Sequence, residues 1–253
     1  MTNEQLMQKM KEDMEMRGFS KYTKYSYTHQ AKYTMEYFKK PMEEVSTQEL
    51  REYLLKHLKE EKKLSERSVN YYNSVIRFMF EVTLDKVINR KQLPMYRKSK
   101  PLPKILTKEE LVSFFNVCNY KYKTIFMLVY GSGLRISEVA NLEIEDIDAE
   151  RMRILVRNGK GKKERYTILP ELSLKMLREY WTRYRKSKRK GKIFLSESGE
   201  AVTVGVIREH FRKYRRKAKL NENFTVHSLR HRFCNRLNRK RSNNNTSKRI
   251  IGT

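Results

Sequence analysis

The sequence predicts a mainly α-helical fold with a small antiparallel β-sheet, and three observations lead to this fold class. Apolar residues recur at helical spacing along most of the chain, as at Leu6, Met10 and Met14. Glycine and proline are scarce, with 9 and 5 residues, which argues against a turn-rich all-β fold. Between residues 144 and 169 the apolar pattern changes to short runs separated by a glycine-containing turn, which predicts strands.

The first 92 residues are expected to form one compact helical domain. Its helices are predicted over 3–17, 20–38 and 48–61, with a fourth after residue 65. Serine and threonine favour the residue before a helix, and the predicted capping residues are Ser20, Thr47 and Ser65. The second helix interleaves lysines with aromatic residues. We interpret these aromatic residues mainly as a core stripe: Tyr22, Tyr25, Tyr33, Tyr37 and Phe38.

Residues 93–103 are expected to form a basic, proline-rich linker, because they hold three of the five prolines and lack apolar periodicity. Residues 104–235 are expected to form a mixed α/β domain. Its helices begin at a capping box in 107–110, at 124, at 170 and after Thr203. Strands are expected over 144–148, 152–156 and 166–169, with a hairpin turn at 159–163 and a strand-like run at 193–196. The polar segment 236–253 is expected to be disordered.

The charge of the chain indicates a polyanionic partner. Lysine and arginine number 57 against 29 aspartate and glutamate residues, which gives a formal net charge of +28. Two cysteines, Cys118 and Cys234, favour neither a disulfide scaffold nor a zinc cluster, and we expect no metal site. The chain has no apolar run of 18 residues and no signal-peptide core. We therefore expect a cytoplasmic protein with nucleic acid, and no membrane, as its partner.

One arginine lies where two predicted helices meet. The buried run 124–130 ends at glycines 131 and 133, and Leu134 begins a second apolar stretch. Arg135 and Glu138 are three residues apart and share a helix face there. The guanidinium is a planar fork suited to a phosphate, whereas an ordinary surface ion pair is an equally good interpretation of this stretch alone.

Two further motifs carry residues suited to phosphate chemistry. Lys160 lies between two glycines at the predicted hairpin tip, where a solvated loop lysine is the simpler interpretation. His227 and Arg230 are three residues apart, so that an imidazole and a guanidinium could contact one phosphate. Each motif is weak evidence by itself.

In this order, the three motifs resemble those of the tyrosine recombinase (phage integrase) family. The matching stretches are Gly133-Leu134-Arg135-Ile136-Ser137-Glu138, Gly159-Lys160-Gly161-Lys162-Lys163-Glu164-Arg165 and His227-Ser228-Leu229-Arg230-His231. The helical N-terminal domain is similar to the core-binding domain of Xer-like enzymes. The resemblance covers residues 10 to 233, approximately, and implies an integrase-type catalytic domain behind a DNA-clamping helical domain.

The resemblance implies a site-specific recombinase that breaks and rejoins DNA through a phosphotyrosine intermediate, with no metal or other cofactor. Arg135 and Arg230 would bind the non-bridging oxygens of the scissile phosphate. Lys160 would protonate the leaving 5′-oxygen, and His227 would assist proton transfer at the nucleophile. Glu138 is expected to orient Arg135, and His231 to pack or to support the site.

The resemblance also implies partners. Double-stranded DNA is the expected substrate, and the family assembles as a tetramer on two DNA sites. The basic residues expected to contact DNA are Lys21, Lys24, Lys98, Lys100, Lys162 and Lys163.

The chain departs from the family pattern after the third motif. The family continues with a helix, a Leu-Gly-His sequence and the nucleophilic tyrosine, whereas the last tyrosine here is Tyr214, upstream of the motif. We expect no nucleophile in this chain. Residues 233–242 resemble a helix of the family translated in the wrong reading frame. Our hypothesis is that a one-nucleotide shift of the reading frame replaced the C-terminal sequence typical of the family.

Two alternatives from other functional classes remain open. A DNA-binding protein without catalysis could occupy recombination sites, and it would bind DNA without forming a covalent complex. A generic basic RNA-binding protein is disfavoured, because no stacking motif of an RNA module is present.

Overall fold

The computed structural model describes residues 1–97, 106–157, 164–184 and 190–235. The chain divides into two compact units, residues 1–100 and 101–253. Each unit has its own apolar core. The predicted mainly α-helical fold with a small antiparallel sheet is confirmed.

The first unit contains four long helical segments. They are α1 (Asn3–Met16), α2 (Lys21–Phe38), α3 (Thr47–Glu52, continued as a π-helix over Tyr53–Glu61) and α4 (Glu66–Arg77, continued as a π-helix over Phe78–Thr83). A 3₁₀ turn, Met42–Glu44, precedes α3. Ser20 and Ser65 accept a backbone N–H at the start of their helices, as predicted. The predicted cap Thr47 is wrong by one residue, because Ser46 accepts the hydrogen bond from the Glu49 N–H.

The core of this unit is lined by one face of each helix, including Leu6, Met10, Leu50, Val75 and Met79. Residues 93–96, which the sequence places in a linker, pack against α4 in this structure. Leu93 is 1% exposed, and its carbonyl accepts hydrogen bonds from Asn73 and Arg77. The chain following α4 is thus attached to the unit by both an apolar side chain and backbone hydrogen bonds.

Of the five aromatic residues in the predicted core stripe of α2, Phe38 packs against the core and the four tyrosines are exposed. Tyr22, Tyr25, Tyr33 and Tyr37 are 80%, 69%, 53% and 44% exposed. The buried face of α2 instead contains smaller side chains, namely Ala31, Thr34 and Met35. The stripe prediction was wrong for these four tyrosines, because aromatic spacing alone does not show which face of a helix meets the core.

The second unit begins with three helices and a short sheet. The helices are α5 (Lys108–Val117), α6 (Tyr120–Ser132) and α7 (Ile136–Ala140), and the strands are β1 (Ile147–Asp148), β2 (Arg153–Val156) and β3 (Arg165–Ile168). The sheet is antiparallel in the order β1-β2-β3, with Val156 opposite Arg165. Residues 144–146, predicted as part of a strand, form a 3₁₀ turn because Asp146 accepts the Glu143 N–H at 2.9 Å.

Three more helices complete the described part of this unit. They are α8 (Glu171–Tyr184), α9 (Val204–Lys217) and α10, described over residues 226–235. Phe114, Phe126 and Phe211 bring α5, α6 and α9 together, with ring centroids 4.9 to 5.5 Å apart. This aromatic cluster joins the three helices in the core of the unit.

The junction between α6 and α7 depends on two glycines with different roles. Gly133 ends α6 in the left-handed conformation, with φ of +64°, which favours glycine. Gly131 does not end the helix, in contrast to the prediction. A β-carbon at residue 131 would approach Ser173 Oγ to 3.0 Å, so its missing side chain permits close packing of α6 on α8.

Two features are absent from the described ranges. No helix there is both long and apolar enough to cross a membrane. In the same ranges, no group of three or more histidine, cysteine, aspartate and glutamate residues could hold a metal ion.

Candidate active site

Arg135 is fixed at the start of α7 by Glu138. Its backbone N–H donates to Oε2 of Glu138 at 2.7 Å, and its Nη1 donates to Oε1 of the same carboxylate at 2.7 Å. The Glu138 side chain is only 7% exposed, whereas 36% of the Arg135 side chain is accessible. The guanidinium is therefore held on one edge and open to a ligand.

Arg165, the first residue of β3, donates two parallel hydrogen bonds to the same carboxylate. Its Nη1 donates to Oε1 at 2.9 Å and its Nη2 to Oε2 at 2.8 Å. This is the bidentate geometry in which arginine binds a carboxylate most firmly. Two positions along β3, the hydroxyl of Thr167 donates to the carbonyl of Ser132 at 2.7 Å. Strand β3 is thus fastened to the end of α6 and to α7.

Arg230 reaches the same place from α10. Its Nη1 donates to the carbonyl oxygen of Gly133, the residue that ends α6. The same Nη1 lies 3.9 Å from Oε2 of Glu138. Arg135 and Arg230, which are 95 positions apart in the sequence, therefore lie at one carboxylate, as the sequence motifs predict.

Three guanidinium groups and one carboxylate leave an excess of two positive charges at this cluster. Burial acts to raise the pKa of Glu138, but the hydrogen bonds from Arg165 and Arg135 outweigh it and lower the pKa to about 2. The pKa of Arg230 is lowered by burial and by the neighbouring charge of Arg135. Charges of one sign are thus held together, which is the condition for binding an anion.

His227 lies one helical turn before Arg230 on α10, and it is accessible to solvent. Partial burial of its ring, followed by the charges of His231 and Arg208, lowers the pKa of His227 below 6.5. The imidazole is therefore predominantly neutral at pH 7. His231 is exposed, which does not favour packing, and its expected support of the site stays a prediction.

Several residues that the sequence assigns to DNA contact or catalysis lie outside the described residues. They are Lys98, Lys100, Lys160, Lys162 and Lys163, together with the whole segment 236–253.

The two remaining predicted DNA contacts lie on α2 and differ from one another. Lys21 is exposed. Lys24 is half-buried and forms an ion pair with Glu15 of α1. The ammonium of Lys24 thus has a partner within the protein, which the spacing of lysines along α2 does not reveal.

Arg165 is the site residue that the sequence motifs left without a role. It stands at the end of a quoted motif, but a basic residue in a run of lysines resembles a solvated loop. Its signal is the period of two in β3, which places Arg165 and Thr167 on one face of the strand. Both residues contact the α6–α7 junction.

The cluster has the composition of a site for a tetrahedral oxyanion. Two arginines, Arg135 and Arg230, offer planar donors at partly accessible positions, with side-chain exposures of 36% and 24%. The fixed hydrogen bonds to Glu138 and Gly133 orient them before any ligand arrives. Such preorganised donors stabilise negative charge that develops on a phosphoryl group.

The family of the chain is shown by two matches. A model of the phage integrase family matches residues 104–252, and a model of the phage integrase N-terminal SAM-like domain matches residues 6–90. The first match covers more than half of the chain and includes the arginine cluster. The chain belongs to the phage integrase family, and so to the tyrosine recombinases.

Individual relatives agree with this classification. A Sinorhizobium fredii protein named integrase/recombinase y4qK is 35% identical over 232 residues, 90% of this chain and 74% of the relative. The tyrosine recombinase XerA of Pyrococcus horikoshii is 32% identical over 241 residues, 92% of this chain and 79% of XerA.

Solved structures share the fold. The Tn1549 transposon integrase in complex with transposon right end DNA superposes with a TM-score of 0.74 at 20% identity, covering 95% of this chain and 87% of that one. A lambda integrase tetramer bound to a Holliday junction gives a TM-score of 0.73 at 17% identity, with coverages of 92% and 69%.

Proposed function

We propose that this chain binds double-stranded DNA and holds one backbone phosphate between Arg135 and Arg230 for site-specific recombination. The observation that carries the proposal is the convergence of these two arginines, with Arg165, on the single buried carboxylate of Glu138. Three cations and one anion leave a net positive charge at this site, which favours the binding of a phosphate.

Three further observations support DNA as the substrate. The chain carries a formal charge of +28, far more than solubility requires. The XerA relative is named a tyrosine recombinase. Of the solved structures with the same fold, the Tn1549 integrase is bound to transposon DNA and the lambda integrase to a Holliday junction. Because the lambda integrase complex is a tetramer, we also propose that this chain oligomerises on DNA.

Within this proposal, Arg135 and Arg230 stabilise the charge that develops on the phosphate oxygens. Lys160 would donate a proton to the leaving 5′-oxygen, as the family motif implies. His227, held neutral by its surroundings, would accept a proton near the attacking nucleophile. These two roles extend the family resemblance.

A second candidate function is DNA binding without strand cleavage. The observation that favours it is the position of the last tyrosine in residues 1–253, Tyr214, whose side chain is only 5% exposed in α9. A protein consisting of these 253 residues would then bind recombination sites without forming a phosphotyrosine link.

The proposed DNA binding is tested by fluorescence anisotropy with a labelled duplex at increasing salt. A protein with six to ten phosphate contacts should lose about 10³- to 10⁵-fold in affinity between 50 and 200 mM salt. Replacing both Arg135 and Arg230 by alanine should lower the slope of log K against log salt by about 2. Arg151→Ala is the control, because Arg151 lies in the turn before β2, whereas the pair Val156 and Arg165 is at the far end of that strand. An unchanged slope in the double variant would contradict the phosphate site.

Cleavage is tested separately with a suicide duplex and a denaturing gel. We expect no covalent complex from the 253-residue protein. A covalent complex that disappears in Tyr214→Phe would show that Tyr214 is the nucleophile and would exclude the non-cleaving alternative.

A further inference from the structure

We infer that Arg165 is a positioning residue: by occupying the Glu138 carboxylate it keeps Arg230 available for the phosphate. This inference rests on the proposed phosphate site and deepens it. It assigns a task to the one arginine of the cluster to which the sequence motifs give none.

Three donors approach one oxygen atom of the Glu138 carboxylate. Oε2 of Glu138 accepts the Nη2 of Arg165 at 2.8 Å and the backbone N–H of Arg135 at 2.7 Å. The Nη1 of Arg230 lies 3.9 Å from the same oxygen, beyond hydrogen-bond distance. Arg165 and Arg230 therefore approach the same acceptor, and Arg165 occupies it.

The other oxygen is occupied in the same manner. Oε1 of Glu138 accepts the Nη1 of Arg135 at 2.7 Å and the Nη1 of Arg165 at 2.9 Å. Each carboxylate oxygen thus receives two donors, which fills the usual accepting capacity of a carboxylate. No position on Glu138 is left for a third guanidinium at short distance.

Arg230 consequently binds a neutral partner. Its Nη1 donates to the carbonyl of Gly133, which orients the guanidinium without compensating its charge. An arginine that is not hydrogen-bonded to a carboxylate attracts a phosphate more strongly than one that already is. The occupation of Glu138 by Arg165 is what maintains this difference.

A lysine at position 165 would keep the positive charge and remove the planar guanidinium that donates two parallel hydrogen bonds. An ammonium group is a single point donor and does not span both carboxylate oxygens as a guanidinium does. One position on Glu138 would open, and Arg230 would need to move by about 1 Å to form an ion pair there. The net charge of the cluster would be unchanged, so any loss of phosphate affinity would report the pairing of Arg230.

The fold gives reason to expect that the substitution is tolerated. Strand β3 is attached independently of Arg165, through the hydrogen bond from Thr167 to the Ser132 carbonyl and through its pairing with β2. Arg165 is 35% exposed, so a lysine can be accommodated without a cavity. Thermal unfolding of the variant provides the check.

The experiment measures binding of inorganic phosphate by isothermal titration calorimetry, with the Nε–H NMR signal of Arg230 as a local probe. Arg165→Lys should weaken phosphate binding about tenfold and shift the Arg230 signal even without phosphate. Arg151→Lys is the control for a lysine replacement in the same unit, and it should change neither. The Glu138 pKa should rise in Arg165→Lys, because part of its hydrogen bonding is lost.

The decisive comparison uses the background in which Glu138 is neutral. In Glu138→Gln no carboxylate is present to capture Arg230, so adding Arg165→Lys should leave phosphate affinity unchanged. Equal losses from Arg165→Lys in both backgrounds would show that Arg165 acts independently of Glu138, and would overturn the inference. If the Arg230→Gln variant binds phosphate as tightly as the wild-type protein, the proposed phosphate site itself is contradicted.

Discussion

The ring of Phe233 lies directly against Gly133, so that a β-carbon at residue 133 would come within 2.3 Å of Phe233 Cδ1. Phe233 is 7% exposed and stands one turn after Arg230 on α10. The carbonyl of Gly133 accepts the Arg230 guanidinium as well. Gly133 thus ends α6, contacts Phe233 of α10 and orients Arg230 of the candidate site.

Gly133→Ala should destabilise the second unit and weaken phosphate binding together. The left-handed backbone costs alanine about 1–2 kcal/mol, and displacing the Phe233 ring adds about 1–3 kcal/mol. Because Trp181 is the single tryptophan of the chain and lies in this unit, its fluorescence during urea unfolding measures the effect.

Gly191→Ala is the matched control for this substitution. Gly191 also has a positive φ, +89°, and lies in the same unit, but a β-carbon there would have no atom within 4 Å. We expect only the backbone cost at residue 191. Equal destabilisation by the two alanines would show that the Phe233 contact contributes nothing to the docking of α10.

The stability of the second unit should depend on the ionisation of Glu138 at acid pH. The pKa of this carboxyl group is about 2 in the folded protein, against 4.5 for an unperturbed glutamate. A lowered pKa stabilises the fold above pH 4.5, and this stabilisation disappears as the pH falls from 4.5 towards 2. The difference corresponds to about 3 kcal/mol.

The measurement compares urea unfolding of the wild type and Glu138→Gln between pH 7 and pH 2. At pH 7 the variant should be less stable by about 3–5 kcal/mol, since Arg135 and Arg165 lose their charged partner. The gap should narrow steadily below pH 4.5. Other carboxylates also titrate in this range, so the gap between the two proteins is informative, rather than either curve alone.

Much of the fold follows from local sequence signals. Ser20, Ser65 and Thr203 cap helices where the sequence places them, because a side-chain oxygen satisfies a backbone N–H whatever the tertiary context. The strands between 147 and 168 likewise follow from local alternation and a glycine turn. The exposure of the α2 tyrosines does not follow from local signals, because burial depends on which helices pack against α2.

The same distinction applies to the candidate site. The Arg135–Glu138 pair is three residues apart and was predictable from helical spacing. The hydrogen bonds from Arg165 to Glu138 join residues 27 positions apart on different elements. No local pattern encodes that contact, because it depends on how β3 packs against α7.

His227 should titrate below pH 6.5, and phosphate should raise its pKa. Partial burial and the charges of His231 and Arg208 disfavour the imidazolium, whereas a bound dianion favours it. Two-dimensional NMR of the histidine ring signals against pH, with and without inorganic phosphate, measures both effects. His29, on α2 in the other unit, is the internal control, and its signals should not respond to phosphate. A His227 curve that phosphate leaves unmoved would place the anion elsewhere.

Releasing Lys24 from its ion pair should increase DNA binding. Lys24 is proposed to contact DNA, yet its ammonium pairs with Glu15 of α1, whose side chain is 72% exposed. Glu15→Gln should therefore steepen the salt dependence of duplex binding by about one phosphate contact, while an exposed pair contributes little to stability. Glu12→Gln removes the same charge from α1, where Glu12 accepts a hydrogen bond from Gln8 rather than from a lysine. If both variants change the salt slope equally, Lys24 makes no phosphate contact, and the affinity gain reflects only the lower negative charge of α1.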